Sequence, residues 1–224
     1  MTDYSIVIAA YQSIDNVQRA IEQAHSNTLP PKEITIIVNH CNDVSDDLVD
    51  MIQADSRVTR WVYSSHNMGI ATAWNLGMMM STTDKIVILS DDCSVENNAY
   101  ETLMAGFSKE DKVGIVGPYG SVMHGQHVAA GWFIAVSKQM VMEIGGYTEF
   151  SSPLADEVEL TFRARRHGWK TVIVEDYTEH THTISANEDA VINYLGRDTT
   201  PREFQKEGVP RLRAMVAEHI GATK

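Results

Sequence analysis

Two carboxylates side by side at the end of an apolar run are costly unless something neutralises them. The chain has such a pair in Ser90-Asp91-Asp92, directly after Lys85-Ile86-Val87-Ile88-Leu89. Adjacent like charges oppose each other's ionisation, and a hard divalent cation with oxygen ligands relieves that repulsion. Such a cation would in turn neutralise a diphosphate. The same pair also suits a helix cap, because Asp accepts from free backbone N–H groups. A second cluster, Asp156-Glu157-Val158-Glu159, opens a segment that continues Leu160-Thr161-Phe162-Arg163-Ala164-Arg165-Arg166. It offers a carboxylate base, although acids in a first turn and bases in a last turn also answer the helix dipole. Downstream, His180-Thr181-His182 supplies imidazoles that can bind metal or carry protons near neutral pH. A spacing of two puts them on opposite faces of an extended segment, so one of them at most faces a given site.

The elements that must hold these groups are legible as alternating runs. Ser5 to Ala10 reads as a strand, and Ile14, Val17, Ala20, Ile21 and Ala24 then repeat at helical spacing up to His25. Pro30-Pro31 breaks the chain before a second apolar strand, Glu33 to Val38, and Leu48, Val49 and Ile52 suggest a helix after it. A third strand is expected over Val58 to Tyr63, a helix from about Ile70 to Met80, and a central strand over Lys85 to Leu89. This alternation predicts an α/β fold with a mainly parallel sheet flanked by helices. After residue 117, glycines at 117, 120, 125 and 131 precede the apolar run Trp132 to Val136, and this half reads as more irregular and antiparallel. A helix over about Ala155 to His167, a strand over Thr171 to Val174 and a polar helical region from about Pro201 complete the expected order. Ligands of open α/β sheets sit beyond the carboxyl ends of the strands. That singles out Ala9-Ala10-Tyr11-Gln12, Asn39-His40-Cys41-Asn42-Asp43 and Ser90-Asp91-Asp92.

With 224 residues, one domain with a sizeable core is expected. There is no apolar run of about 20 residues and no secretory signal pattern at the start, so the chain reads as a cytoplasmic protein. Cys41 and Cys93, placed in separate loops, do not make a disulfide framework. The net charge of −12 disfavours nonspecific attraction to nucleic acid and suits a divalent cation, as it also suits a merely soluble acidic surface. A basic patch of Arg163, Arg165, Arg166, His167 and Lys170 leaves a nucleic-acid acceptor open.

Taken in order, these pieces resemble the inverting glycosyltransferases of family 2, which have the GT-A fold, over about residues 4 to 185. Ser5 to Tyr11 looks like the family's first strand and the turn under the nucleotide base. His66-Asn67-Met68-Gly69-Ile70-Ala71-Thr72-Ala73-Trp74-Asn75-Leu76-Gly77 is similar to its Asn-x-Gly…Asn-x-Gly helix, the most specific stretch. Ser90-Asp91-Asp92 is similar to its DxD motif with Ser for the first acid, and Gly145-Gly146-Tyr147-Thr148-Glu149 with Asp156 to Arg163 is similar to its Gly-Gly-Phe-Asp…Glu-Asp-x-Asp-Leu-x-x-Arg block. The family's usual acidic pair after the second strand is replaced by Asn39-His40.

The resemblance implies a GT-A catalytic domain over residues 1–185, with a nucleotide-binding half of about 1–117 and an acceptor half of about 118–185, and residues 186–224 as a helical extension. It implies inverting sugar transfer from a nucleoside-diphosphate sugar to an acceptor hydroxyl on a glycan or small molecule. In this reading Glu157, with Asp156, is the catalytic base; Asp92 binds a divalent metal (Mn or Mg), helped by His180 or His182. Ala9, Ala10, Tyr11, Asn39, Asn67, Gly69, Asn75 and Asp91 line the donor site. Trp132 and Tyr147 are candidates for the acceptor, with Tyr119 and Trp169 as further aromatics that could stack on a sugar. Two other functions compete: a nucleotidyltransferase, which normally wants a Gly- and Lys/Arg-rich phosphate loop that Ala9 to Gln12 does not offer, and a sugar-nucleotide or glycan-binding module without catalysis.

Overall fold

The computed structural model of the chain describes residues 3–11, 13–39, 45–123, 126–148, 156–175 and 177–180. Its first half is a run of β-α units: β1 (Tyr4–Ala10), α1 (Ile14–Ser26), β2 (Glu33–Asn39), α2 (Ser45–Ala54), β3 (Arg60–Ser64), α3 (Ile70–Met80) and β4 (Lys85–Ser90). Every residue of β1 and β2 is buried, as in a strand covered by helices on both faces. Helix α1 starts where the Ser13 hydroxyl accepts from Asn16 N at 3.2 Å, and it turns Val17, Ala20, Ile21 and Ala24 onto the sheet. Helix α3 starts at Gly69, whose φ of +81° lies in the region that favours glycine.

The second half contains β5 (Cys93–Val95), α4 (Ala99–Gly106), β6 (Val113–Met123), β7 (Gln126–Ala129), β8 (Phe133–Ser137), α5 (Lys138–Ile144), α6 (Asp156–Arg166), β9 (Lys170–Val174) and β10 (Thr178–His180). The large sheet runs in the order β3-β2-β1-β4-β8-β6-β7, with β9 on β6. Strands β1 to β4 are mutually parallel, whereas β8 is antiparallel to both β4 and β6. Alternate residues of β1 feed two cores. Tyr4, Ile6, Ile8 and Ala10 pack with α1, α2 and α4 on one face, and Val7 and Ala9 pack with α3, α5 and α6 on the other. The chain leaves β1 towards β2 on one side and places β4 on the other, so a crevice opens at the carboxyl ends of these three strands.

Three expectations change. The irregular stretch after residue 117 contains most of an 11-residue strand, β6, whose register shifts between Tyr119 and Ser121. Cys93 lies not in a loop but in the short strand β5, where it is buried. Helices α4 and α5 had no counterpart in the sequence reading. Cys41, His182 and the expected helix from about Pro201 lie outside the described residues.

Candidate active site

The acidic end of β4 is bound to the end of β1. Register pairs Ala9 with Ser90, which brings the next residues level, and Tyr11 N donates to Asp91 Oδ2 at 2.9 Å. Asp91 is buried, and burial pushes its carboxyl up to about 7; the adjacent Asp92 charge adds to this, while the Tyr11 N–H opposes it. Arg19 of α1 donates to the Asp91 carbonyl at 3.4 Å. Asp92 is the more open of the two acids, and its Oδ1 accepts from the Ser90 hydroxyl at 2.5 Å. Ala9 and Ala10 bury their side chains in the two cores, so only their backbone and half-buried Tyr11 face the crevice.

Beyond β2, Asn39 reaches across to the entrance of α3. Its amide donates to Asn67 Oδ1 at 3.0 Å and its oxygen accepts from Met68 N at 2.9 Å, while Asn67 Oδ1 also accepts from Gly69 N at 2.9 Å. Both asparagines therefore build the loop that opens α3. This satisfies backbone N–H groups at a helix start that have no partner within the helix.

The Gly131-Trp132 turn joins the acidic strand end to the second carboxylate cluster. Ser90 N donates to Trp132 O at 2.9 Å. A Cβ built on Gly131 would lie 3.1 Å from Glu157 Oε2, so the Glu157 carboxylate rests against this glycine. Burial pushes the Glu157 carboxyl up to about 7. Behind the turn, Trp132 Nε1 donates to Thr178 Oγ1 at 3.3 Å, and β10 pairs antiparallel with β5 so that His180 stands opposite Cys93, the residue after Asp92. The crevice thus gathers Tyr11, the Asn39-Asn67 loop, Asp91-Asp92, Gly131-Trp132 and Glu157. The side chains of Asp156 and His180 lie outside the described residues.

Two expected site residues stand elsewhere. Tyr147 is only 4% exposed, and its ring packs on Trp74 with centroids 5.1 Å apart, so it has no open face for an acceptor. Asn75 spends both ends of its amide on the Tyr147 backbone, through Nδ2 to the carbonyl oxygen and from the N–H to Oδ1, each 2.7 Å. Trp169 is likewise buried, whereas Tyr119 is exposed and meets His127 edge to face. Sequence marks Gly131 only as one of the glycines before the apolar run Trp132 to Val136, without a site role, and gives no signal for Arg19, whose contact spans 72 residues.

The donor set fits a hard divalent cation only if a ligand completes it. Among the described residues no three or more His, Cys, Asp or Glu side chains are grouped to hold a metal. The half-buried Asp92 carboxylate suits a cation of the Mg type, which binds through one or two protein groups and substrate phosphates.

The family model described as glycosyl transferase family 2 matches residues 5–131, more than half of the chain. The chain belongs to glycosyl transferase family 2. Among solved structures, a mannosyltransferase of Pyrobaculum calidifontis, PcManGT, in complex with GDP-Man and Mn2+, aligns with a TM-score of 0.69 at 12% identity, covering 98% of this chain and 73% of that chain. That likeness gives the same fold, a GT-A glycosyltransferase architecture. No curated protein sequence matches the chain. Among the described residues no helix is long and apolar enough to cross a membrane.

Proposed function

We propose that the protein transfers a sugar from a nucleoside-diphosphate sugar to an acceptor hydroxyl, with inversion at the anomeric carbon and Glu157 as the base. The observation that carries this reading is the pairing of Glu157 with the acidic end of β4 across the Gly131-Trp132 turn. The donor lies over the carboxyl ends of β1, β2 and β4, its base near Tyr11 and the Asn39-Asn67 loop and its diphosphate towards Asp92. The acceptor enters from the Trp132 side. Glu157 accepts the acceptor's proton as its oxygen attacks from the face opposite the diphosphate, and a midpoint of about 7 keeps that carboxyl basic enough for the task. Asp92, with His180 or His182, would hold a divalent cation, Mn or Mg. When bound, it supplies positive charge to the departing diphosphate. Asp91 holds the Tyr11 turn in place through its bond to the backbone. The mannosyltransferase of the same fold was solved with GDP-Man and Mn2+, which supports a donor of this class here.

Isothermal titration of UDP-, GDP-, CMP- and dTDP-sugars, with and without Mn, against the wild type and Asp92→Ala tests the donor site. Metal-dependent binding of one nucleotide class that Asp92→Ala abolishes is expected. Binding that ignores both the metal and Asp92 would remove Asp92 from its role.

A further inference from the structure

The Gly145–Thr148 turn is held from two sides by the two helices that frame the crevice. From α3, Asn75 grips the peptide of Tyr147 with a donor and an acceptor bond, each 2.7 Å, much as a neighbouring strand would. The grip requires Gly146, because a Cβ there would stand 2.1 Å from Asn75 Oδ1. Trp74, the residue before Asn75, packs its ring on Tyr147. From α6, Arg163 donates Nη1 to Ile144 O and Nη2 to Gly146 O, each at 2.5 Å. Its Nε and Nη2 meet the two oxygens of fully buried Glu159 at 2.7 Å, and Glu159 Oε2 also accepts from the Thr148 hydroxyl at 3.0 Å. One short turn is therefore bolted to α3, whose entrance is built by Asn39 and Asn67, and to α6, whose first turn carries Glu157.

We propose that Asn75 is a positioning residue that sets the base helix α6 relative to the donor-side helix α3 through the Tyr147 peptide and Arg163, and that it makes no contact with the nucleotide sugar. This inference rests on the reading of Glu157 as the base. One N–H and the oxygen of its amide are committed to the Tyr147 backbone, which orients Asn75 onto the turn. Loss of the grip leaves the nucleotide loop intact and lets α6 shift. A displacement of about 1 Å at a reacting group costs up to about a hundredfold in rate.

The test uses Asn75→Ala, Gly146→Ala and the double variant of the full chain. Affinity is measured by titration with GDP-Mn and UDP-Mn, and turnover as release of nucleoside diphosphate from whichever UDP-, GDP-, CMP- or dTDP-sugar the wild type consumes. Each single variant is expected to lose about tenfold or more in kcat, with nucleotide affinity and donor KM within about twofold of wild type. The double variant is expected to be no slower than the slower single, because the added methyl fills the room the amide vacates. Should Asn75→Ala not fold, Asn75→Asp keeps the acceptor for Tyr147 N and loses the donor to Tyr147 O, and an intermediate loss in kcat is expected. A wild-type kcat in Asn75→Ala, or a tenfold loss of nucleotide affinity with kcat intact, overturns the proposal. If the wild type consumes no nucleotide sugar, the glycosyl-transfer reading fails, and the grip is read instead from the Glu157 carboxyl by carbon NMR titration. Asn75→Ala should then lower the Glu157 midpoint towards the ordinary carboxylate range, and an unchanged midpoint overturns the proposal.

Discussion

Glu157→Gln is expected to stabilise the protein at alkaline pH while removing the proposed base. In the fold, burial moves the Glu157 carboxyl from 4.5 to about 7. A raised carboxyl favours the protonated form, so its contribution to stability is fully present below the unfolded value of 4.5 and is lost as pH rises through about 7. The difference of roughly 2.5 pH units corresponds to about 3 kcal/mol. Glutamine has the shape of the neutral acid and never ionises. The variant should therefore match wild type at about pH 4 and exceed it by up to about 3 kcal/mol at about pH 8. Urea denaturation in the presence of EDTA at the two pH values measures the gap, read from the midpoint at constant slope. A variant no more stable than wild type at the higher pH would refute the claim that Glu157 is held in a desolvated place against Gly131.

Gly77→Ala should lower stability by about 1–3 kcal/mol, because its methyl would lie 2.2 Å from Val7 Cγ1 where α3 presses on β1; an unchanged urea midpoint would mean that this contact yields freely. Glu33→Gln tests the opposite end of the sheet. Burial works to raise the Glu33 carboxyl, but hydrogen bonds from Thr82 and Ser5 and the Arg60 ion pair outweigh it and hold the group down at about 2. The stability this supplies is present above the ordinary value of 4.5 and lost as pH falls through about 2, so the variant should lose up to about 3 kcal/mol at neutral pH. That deficit should shrink in acid, and a deficit constant with pH would point to packing instead.

The parts of the fold that could be read from sequence were those fixed by local pattern. The Ile/Val runs of β1, β2 and β4 and the apolar spacing of α1 announce themselves; Asp91-Asp92 stand out as candidates because they follow a strand end, and Glu157 because its helix start resembles the family's acidic block. Helix α5 has seven residues and α4 eight, neither with a side-chain cap bond, so neither carried a start signal. Strand β5, three residues long, exists through its pairing with β10 across more than 80 residues. Non-local contacts also decided the roles that changed. Asn75 and Tyr147 lie 72 residues apart, and no spacing rule could say that the amide would bond to that backbone, or that Trp74 would cover the tyrosine ring.

The most direct test of the central claim is turnover of the donor selected by titration, comparing wild type with Glu157→Gln and assigning the product's anomeric configuration by proton NMR. The account predicts an inverted product from wild type and donor affinity within about twofold in the variant, with kcat lower by about a hundredfold or more. A retained configuration, or a variant that turns over at the wild-type rate, would contradict it.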